Sequence, residues 1–349
     1  MNRYFLLLAV ILTVTMHHRA NAQTDSKAAD LHAYPSLASF DSTIAACHRS
    51  VMVNDTTCIA YFKPKPYEFI TNLPKDWVEF GKRTITKKGL IATGAIAATT
   101  ALLIAIDRPA IDAVQQFGRW SGISGERKFA NAIKFKAGGT EVNFLDLPQN
   151  FNSTLYFIGE GWPTIAFTAG VLVRGIVKND SRAILTASQI GEGYLAMGIT
   201  VQLIKRLTGR QSPFRTESGS GSWQLAPSYS HYQNDVPNHD AFPSGHLATA
   251  MATVTIYAEN YPEYKLIRPI GYTVIGIVGL AMMNNGVHWL SDYPLALAIG
   301  YTYGKIVTSR GKTIGFIKRM GPGADKGKLS FVPTIIDNRS LGMSLRLNL

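Results

Sequence analysis

Long apolar stretches alternate with short basic connectors along most of this chain. The stretches lie at residues 89–106, 154–172, 184–204, 241–257, 267–283 and 290–308. Each is close to the roughly 20 residues that a helix needs to cross a bilayer. Gly and Ala recur inside them, which suits helices that pack closely. Glu160, Gln189 and Glu192 interrupt the second and third stretches and are expected to face the bundle or a wet cavity, because a charged group facing lipid is costly. A buried soluble bundle gives the same pattern, since short apolar runs do not separate core helices from spanning ones. The pattern therefore predicts an all-α fold, a helical bundle of about six apolar, membrane-embedded helices over residues 89–308.

The ends differ from this middle. Residues 23–88 form a polar N-terminal extension, in which Lys63-Pro64-Lys65-Pro66 argues against a continuous element. Residues 309–349 form a short C-terminal tail, and Ser330 to Leu349 alternate apolar and polar residues as a short strand pair would. Met1-Asn2-Arg3, the apolar run Tyr4 to Met16 and Ala20-Asn21-Ala22 before Gln23 read as a secretory signal peptide over 1–22. A first membrane helix is the alternative, which the short apolar run disfavours. Cys47 and Cys58 lie beyond it; a disulfide between them and a reduced pair both stay open.

Charge narrows the partners. The 349 residues carry a net charge of +12 with 46% hydrophobic residues, which suits anionic partners such as lipid phosphates or a membrane surface. Lys and Arg flank apolar stretches instead of clustering on one polar face, so no nucleic acid is expected as a partner. Four connectors are basic: Lys82, Arg83, Lys87 and Lys88; Arg174, Lys178 and Arg182; Lys265 and Arg268; and Lys305, Arg310 and Lys312. The positive-inside rule places all four in the cytoplasm, and the loops between them outside. A cleaved signal starts the mature chain outside and reverses that parity. Either one stretch does not span, or the whole bundle is exported; in both cases the motif-bearing loops face the periplasm or cell exterior of a bacterium.

Those loops hold the candidate chemistry. Pro243-Ser244-Gly245-His246 opens an apolar helix. The first N–H groups of a helix lack intrahelical partners and, with the positive end of the dipole, make an anion site. His246 beside it is placed to move a proton; an ordinary capped helix start is the bland reading. His288 and Asp292, at i and i+4, meet on one helix face, where the carboxylate can leave one imidazole nitrogen nucleophilic. A structural His–Asp hydrogen bond is the alternative. Lys205, Arg206, Arg210 and Arg215 surround the exit of the third stretch and could neutralise a phosphate, or simply snorkel at an interface. His231, Asp235, His239 and Asp240 lack a recognisable metal-ligand spacing and read as part of a solvated lid over 216–242, so no metal is expected.

In this order the three elements resemble the type 2 phosphatidic acid phosphatase and haloperoxidase superfamily, whose signature is Lys-x6-Arg-Pro, then Pro-Ser-Gly-His, then Ser-Arg-x5-His-x3-Asp. Lys205 and Pro213 match the first motif, with Ser212 in place of its arginine. The second motif matches fully. In the third, His288 and Asp292 match, while Ala281 and Met282 replace Ser-Arg. The resemblance implies a phosphatase without metal or other cofactor, acting on a phosphorylated lipid. His288 would form a phosphohistidine, oriented by Asp292, and His246 would protonate the leaving oxygen. Lys205, Ser244 and Gly245 would bind the phosphate, with Arg210 and Arg215 as surrogates for the absent arginines. A decayed phospholipid-binding protein and a vanadate-dependent haloperoxidase are the alternatives the resemblance leaves.

Overall fold

Helices occupy each apolar stretch. The computed structural model describes residues 51–54, 57–137, 140–217, 219–316, 329–336 and 340–347; the signal-like segment 1–22 and Cys47 lie outside them. In chain order the longer helices are α1 Leu73–Ile85, α2 Lys87–Ile104, α3 Asp107–Trp120, α4 Phe151–Gly159, α5 Trp162–Lys178, α6 Ser181–Thr208, α7 Gly245–Asn260, α8 Ile267–Asn284 and α9 Tyr293–Val307. The second predicted stretch is broken in two. Gly161 has φ +89° and Pro163 comes soon after it, so α4 stops and α5 begins anew.

Strands depart from the all-α expectation. β3 Phe129–Ala137 and β4 Thr140–Pro148 form an antiparallel hairpin between α3 and α4. The chain divides into two units. The larger holds residues 61–312 with the helices and this hairpin. The smaller holds residues 37–60 and 313–349. β1 Val51–Asn54, β2 Thr57–Tyr61 and β5 Lys312–Phe316 form one sheet. β6 Leu329–Ile336 and β7 Ser340–Leu347 form a hairpin where the alternating tail predicts a strand pair.

Within the larger unit α7 is central and packs on α6, α8 and α9. Ala248, Ala252, Thr255 and Ile256 line its buried face, recurring at three- and four-residue steps as a core-facing stripe should. α9 presents Ala296, Ile299, Gly300 and Tyr303 to that core. Small residues set the approach: a Cβ on Gly300 would stand 2.2 Å from the Ala248 carbonyl oxygen. Gln189 and Glu192 turn inward from α6 as predicted. Gln189 donates to the Val307 carbonyl at 2.9 Å, and Glu192 pairs with Arg310, which also pairs with Asp76 of α1. Glu160 is instead exposed, because it caps α4 at the break.

Among the described residues two helices, α2 and α8, are long and apolar enough to cross a membrane. The helices of the other apolar stretches carry polar side chains or are shorter.

Candidate active site

The site lies at the ends of α6, α7 and α8, where these helices meet their connecting loops. Lys205 occupies the last turn of α6 and is almost wholly buried. Gly209 ends that helix at φ +52°, and a Cβ there would fall 2.0 Å from the Gln224 carbonyl oxygen, so only glycine fits. The loop then folds back on itself. Gln211 N–H donates to the Ser222 carbonyl, and Ala241 N–H to the Arg210 carbonyl, at 2.9 and 3.0 Å. These bonds bring residues 240–244 beside 210–212.

Ser244 caps α7, accepting from Leu247 N–H at 3.5 Å, while its own N–H donates to the Asp292 carbonyl at 3.2 Å. That N–H is therefore engaged, which corrects its expected role as a phosphate donor. The Gly245 and His246 N–H groups lie in the first turn of α7, where backbone donors lack intrahelical partners. His246 packs its ring on Tyr156 of α4 at 4.4 Å between centroids and faces His288 at 5.9 Å. Its Nε2 is buried and finds no partner among the described residues.

His288 and Asp292 do not share a helix face. Gly286, at φ +70°, carries the chain away from α8, and His288 sits in the turn before the short helix Leu290–Asp292. His288 Nδ1 lies 2.7 Å from the Ala241 carbonyl oxygen and 3.5 Å from Asp292 Oδ2. A carbonyl can only accept, so Nδ1 carries the proton and Nε2 presents its lone pair. Burial, with Lys205 next to the ring, pushes the His288 pKa down to about 3, which favours the neutral imidazole.

Asp292 is held on three sides. Its Oδ2 accepts the Trp289 N–H at 2.7 Å, its backbone carbonyl accepts Ser244 N–H, and its Oδ1 accepts Arg210 Nη1 at 2.5 Å. This gives Arg210 a different place from the expected one. Its guanidinium is fully buried between Asp292 and Asp107 of α3, donating to Asp107 Oδ2 at 2.6 Å, to Ser291 Oγ at 2.6 Å and to the Ser220 carbonyl at 2.8 Å. Trp223 and Trp289 flank it at 4.7 and 5.4 Å. Both terminal nitrogens of the guanidinium are thus taken by protein, while its Nε finds no hydrogen-bond partner among the described residues. Arg215 is also drawn off, into an exposed pair with Asp235 at 2.7 Å. Arg206 lies over the Tyr232 ring at 3.9 Å.

Two residues outside the motif positions belong here. Asp240 Oδ2 pairs with Lys205 Nζ at 3.3 Å, so the clamp cation is already matched by a carboxylate. Arg127, from the loop before β3, lays its guanidinium 4.7 Å from the Phe214 ring centroid and within electrostatic reach of the Tyr156 hydroxyl. Phe214 N–H in turn bonds the Gly286 carbonyl at 2.9 Å. No ion pair engages Arg127 among the described residues. Ser212 and Met282, at the motif's arginine positions, are both buried; Met282 packs its sulfur 3.8 Å from Ser244 Oγ. No group of three or more metal-ligating side chains is found among the described residues.

A lipid A 1-phosphatase from Porphyromonas gingivalis is 35% identical over 71 residues, which cover 19% of this chain and 15% of that protein. The chain thus spans less than a sixth of that relative's length. The crystal structure of a transmembrane PAP2 type phosphatidylglycerolphosphate phosphatase from Bacillus subtilis matches 70% of this chain and 95% of its own, at 14% identity and a TM-score of 0.27. Residues 186–314, from α6 through α9 and into β5, match the model of the PAP2 superfamily.

Proposed function

We propose that the protein is a metal-independent phosphatase that removes a phosphomonoester or diphosphate group from a lipid through a phosphohistidine on His288. The observation that carries this reading is the pair of facing imidazoles. His288 has its Nδ1 fixed by a carbonyl, which leaves Nε2 as nucleophile; His246 stands 5.9 Å away between ring centroids with a partnerless Nε2.

In the first step His288 Nε2 attacks phosphorus, the bond to the leaving oxygen breaks, and His246, which burial keeps neutral until the phosphate anion binds beside it and brings a proton to the ring, gives that oxygen its proton. In the second step His246 takes a proton from water, which attacks the phosphohistidine and frees His288. Asp292 acts as a positioning residue and stabilises positive charge on the ring. The N–H groups of Gly245 and His246, Lys205 and Arg127 hold the phosphoryl oxygens, and no metal is required for that charge. Arg127 replaces Arg210 and Arg215 in this role, because it lies beside Tyr156, which packs on His246, and no carboxylate pairs with it among the described residues.

The two apolar helices and the basic connectors support a membrane-bound enzyme with its site facing the periplasm or cell exterior. Phosphate release from detergent-solubilised protein, measured over a panel of lipid and soluble phosphates, tests the reading. The expected result is turnover of lipid phosphates that His288→Ala abolishes; equal release by the variant would sink it. Binding of lipid phosphate without turnover favours a decayed site, for which Ser212, Met282 and the Lys205–Asp240 pair are the motive.

A further inference from the structure

Helix α1 grips the bundle through one side. On that side Asp76 pairs with Arg310, Phe80 stacks on Tyr303 at 4.8 Å between centroids, and Trp77 Nε1 donates to the Ala196 carbonyl at 3.1 Å. These contacts hold α1 against α6 and α9 and fix which side faces out. The outer side carries Pro74, Val78, Gly81 and Ile85, whose spacing puts them on one stripe of a helix. Val78 and Ile85 are 57% and 71% exposed. Lys75 and Lys82, both exposed, run along one edge of the stripe. An apolar stripe edged by lysines, on a helix whose other side is committed to protein, is the pattern of a helix that lies in a membrane interface.

The charges near this stripe restrict what covers it. At the other basic connectors most cations are matched inside the protein. Arg174 pairs with Asp180, Arg182 with Glu263, Arg268 and Lys305 with Glu259, and Arg310 with Asp76 and Glu192. Around α1 the balance differs. Arg83 is taken by Glu79, but Lys75, Lys82, Lys87 and Lys88 are exposed and pair with no carboxylate among the described residues. Four unmatched cations beside exposed apolar side chains suit a surface that is apolar below and anionic above. The stripe also leads into α2. Thr86, in extended backbone, ends α1 and caps α2, whose Leu90 and Ile91 are exposed and which is long and apolar enough to cross a membrane.

We propose that the outer face of α1 docks on an anionic phospholipid bilayer, with Val78 and Ile85 at the acyl boundary and Lys75, Lys82, Lys87 and Lys88 on the headgroup phosphates. The surface is separate from the catalytic residues. Trp77 meets α6 at Ala196, which at 1.5 Å per residue is about 14 Å along that helix from Lys205. The inference therefore does not rest on the phosphatase reading.

The test uses the full chain in bilayer discs of phosphatidylcholine alone or mixed with phosphatidylglycerol. Gly81→Cys carries an environment-sensitive fluorophore in the middle of the stripe, where a Cβ meets nothing within 4 Å. The wild type, treated alike, gives the blank for Cys47 and Cys58. The expected result is a blue shift of the label in the anionic discs only, with quenching there by a lipid spin-labelled high on its acyl chain. Adding Lys82→Gln, Lys87→Gln and Lys88→Gln in turn should weaken the docking equilibrium about fivefold per lysine, the equivalent of about 1 kcal/mol for each charge at an anionic surface. Salt at about 1 M should act in the same direction. Val78→Ser with Ile85→Ser should reduce the quenching and leave the melting temperature in detergent unchanged, because both side chains are exposed. Emission that is the same in both kinds of disc, or that the lysine variants leave unchanged, overturns the proposal. So does a shift that follows the number of chains per disc and not the lipid charge, which assigns the face to a second copy of the chain.

Discussion

Replacing Arg210 by methionine separates its observed role from the surrogate phosphate-binding role that its place near the first motif suggests. Arg210, Asp107 and Asp292 are wholly buried, with ion-pair distances of 2.6 and 2.5 Å. Removing the guanidinium leaves two carboxylates without their shared cation in a dry site. Breaking a buried pair by deleting one partner costs about 3–5 kcal/mol. Donors that remain keep the loss within that range: Ser291 N–H and Oγ on Asp107, and Trp289 N–H on Asp292. At about 2–4 °C per kcal/mol for a unit of this size, the melting temperature should fall by about 6–20 °C. Tryptophan fluorescence on heating in detergent measures that shift, and competition by inorganic phosphate at a permissive temperature measures the clamp. We expect a large loss of stability with near-normal phosphate affinity in the protein that stays folded. Adding Asp107→Leu should recover part of the loss, with a coupling above about 1 kcal/mol between the two positions. A variant that melts like wild type but binds phosphate tenfold more weakly would refute this reasoning and make Arg210 a phosphate ligand.

Three further outcomes are expected from other parts of the structure. Arg127→Ala should weaken inhibition by inorganic phosphate about tenfold, with Arg127→Lys intermediate and the melting temperature unchanged; equal inhibition of all three proteins removes Arg127 from the clamp. Gly300→Ala places a Cβ 2.2 Å from the Ala248 carbonyl oxygen and must push α9 from α7, so we expect about 1–3 kcal/mol of destabilisation in chemical unfolding together with slower turnover. His288 titrates near 3 in the fold, below the ordinary value of about 6.5. The neutral ring therefore contributes stability that is full above about pH 6.5 and is lost as pH falls towards 3. His288→Gln, which cannot titrate, should show a shallower loss of stability over that window; parallel curves would count against the neutral ring.

Much of the fold is legible in residue order, and the differences have physical causes. The predicted stretch 184–204 lies inside α6, 267–283 inside α8, and the alternating tail gives β6 and β7. Such periodicity is local, and so is the helix-opening Pro-Ser-Gly turn. The place of Arg210 is not local. It depends on Asp107, 103 positions earlier, whose carboxylate gives no sign in sequence that it faces inward. Arg127 comes from outside the motifs altogether and is read only once Phe214 and Tyr156 converge on it. His288 and Asp292 have helical spacing without a helix, because the turn at Gly286 brings them together by another path. The hairpin β3–β4 lies between apolar stretches, where a pattern of helical length carries no signal for strands. His239 looks solvated among its polar neighbours in sequence, although folding of the loop onto Gln211 buries it.

The central claim is the covalent step on His288. Rapid mixing with a lipid carrying 32P in its phosphate, quenching in base and mapping the labelled peptides test it directly, because a phosphohistidine survives base and is lost in acid. The account predicts base-stable, acid-labile label on the peptide containing His288, absent from His288→Gln. Label that persists in that variant would contradict it, as would phosphate release by the wild type with no labelled peptide at any mixing time.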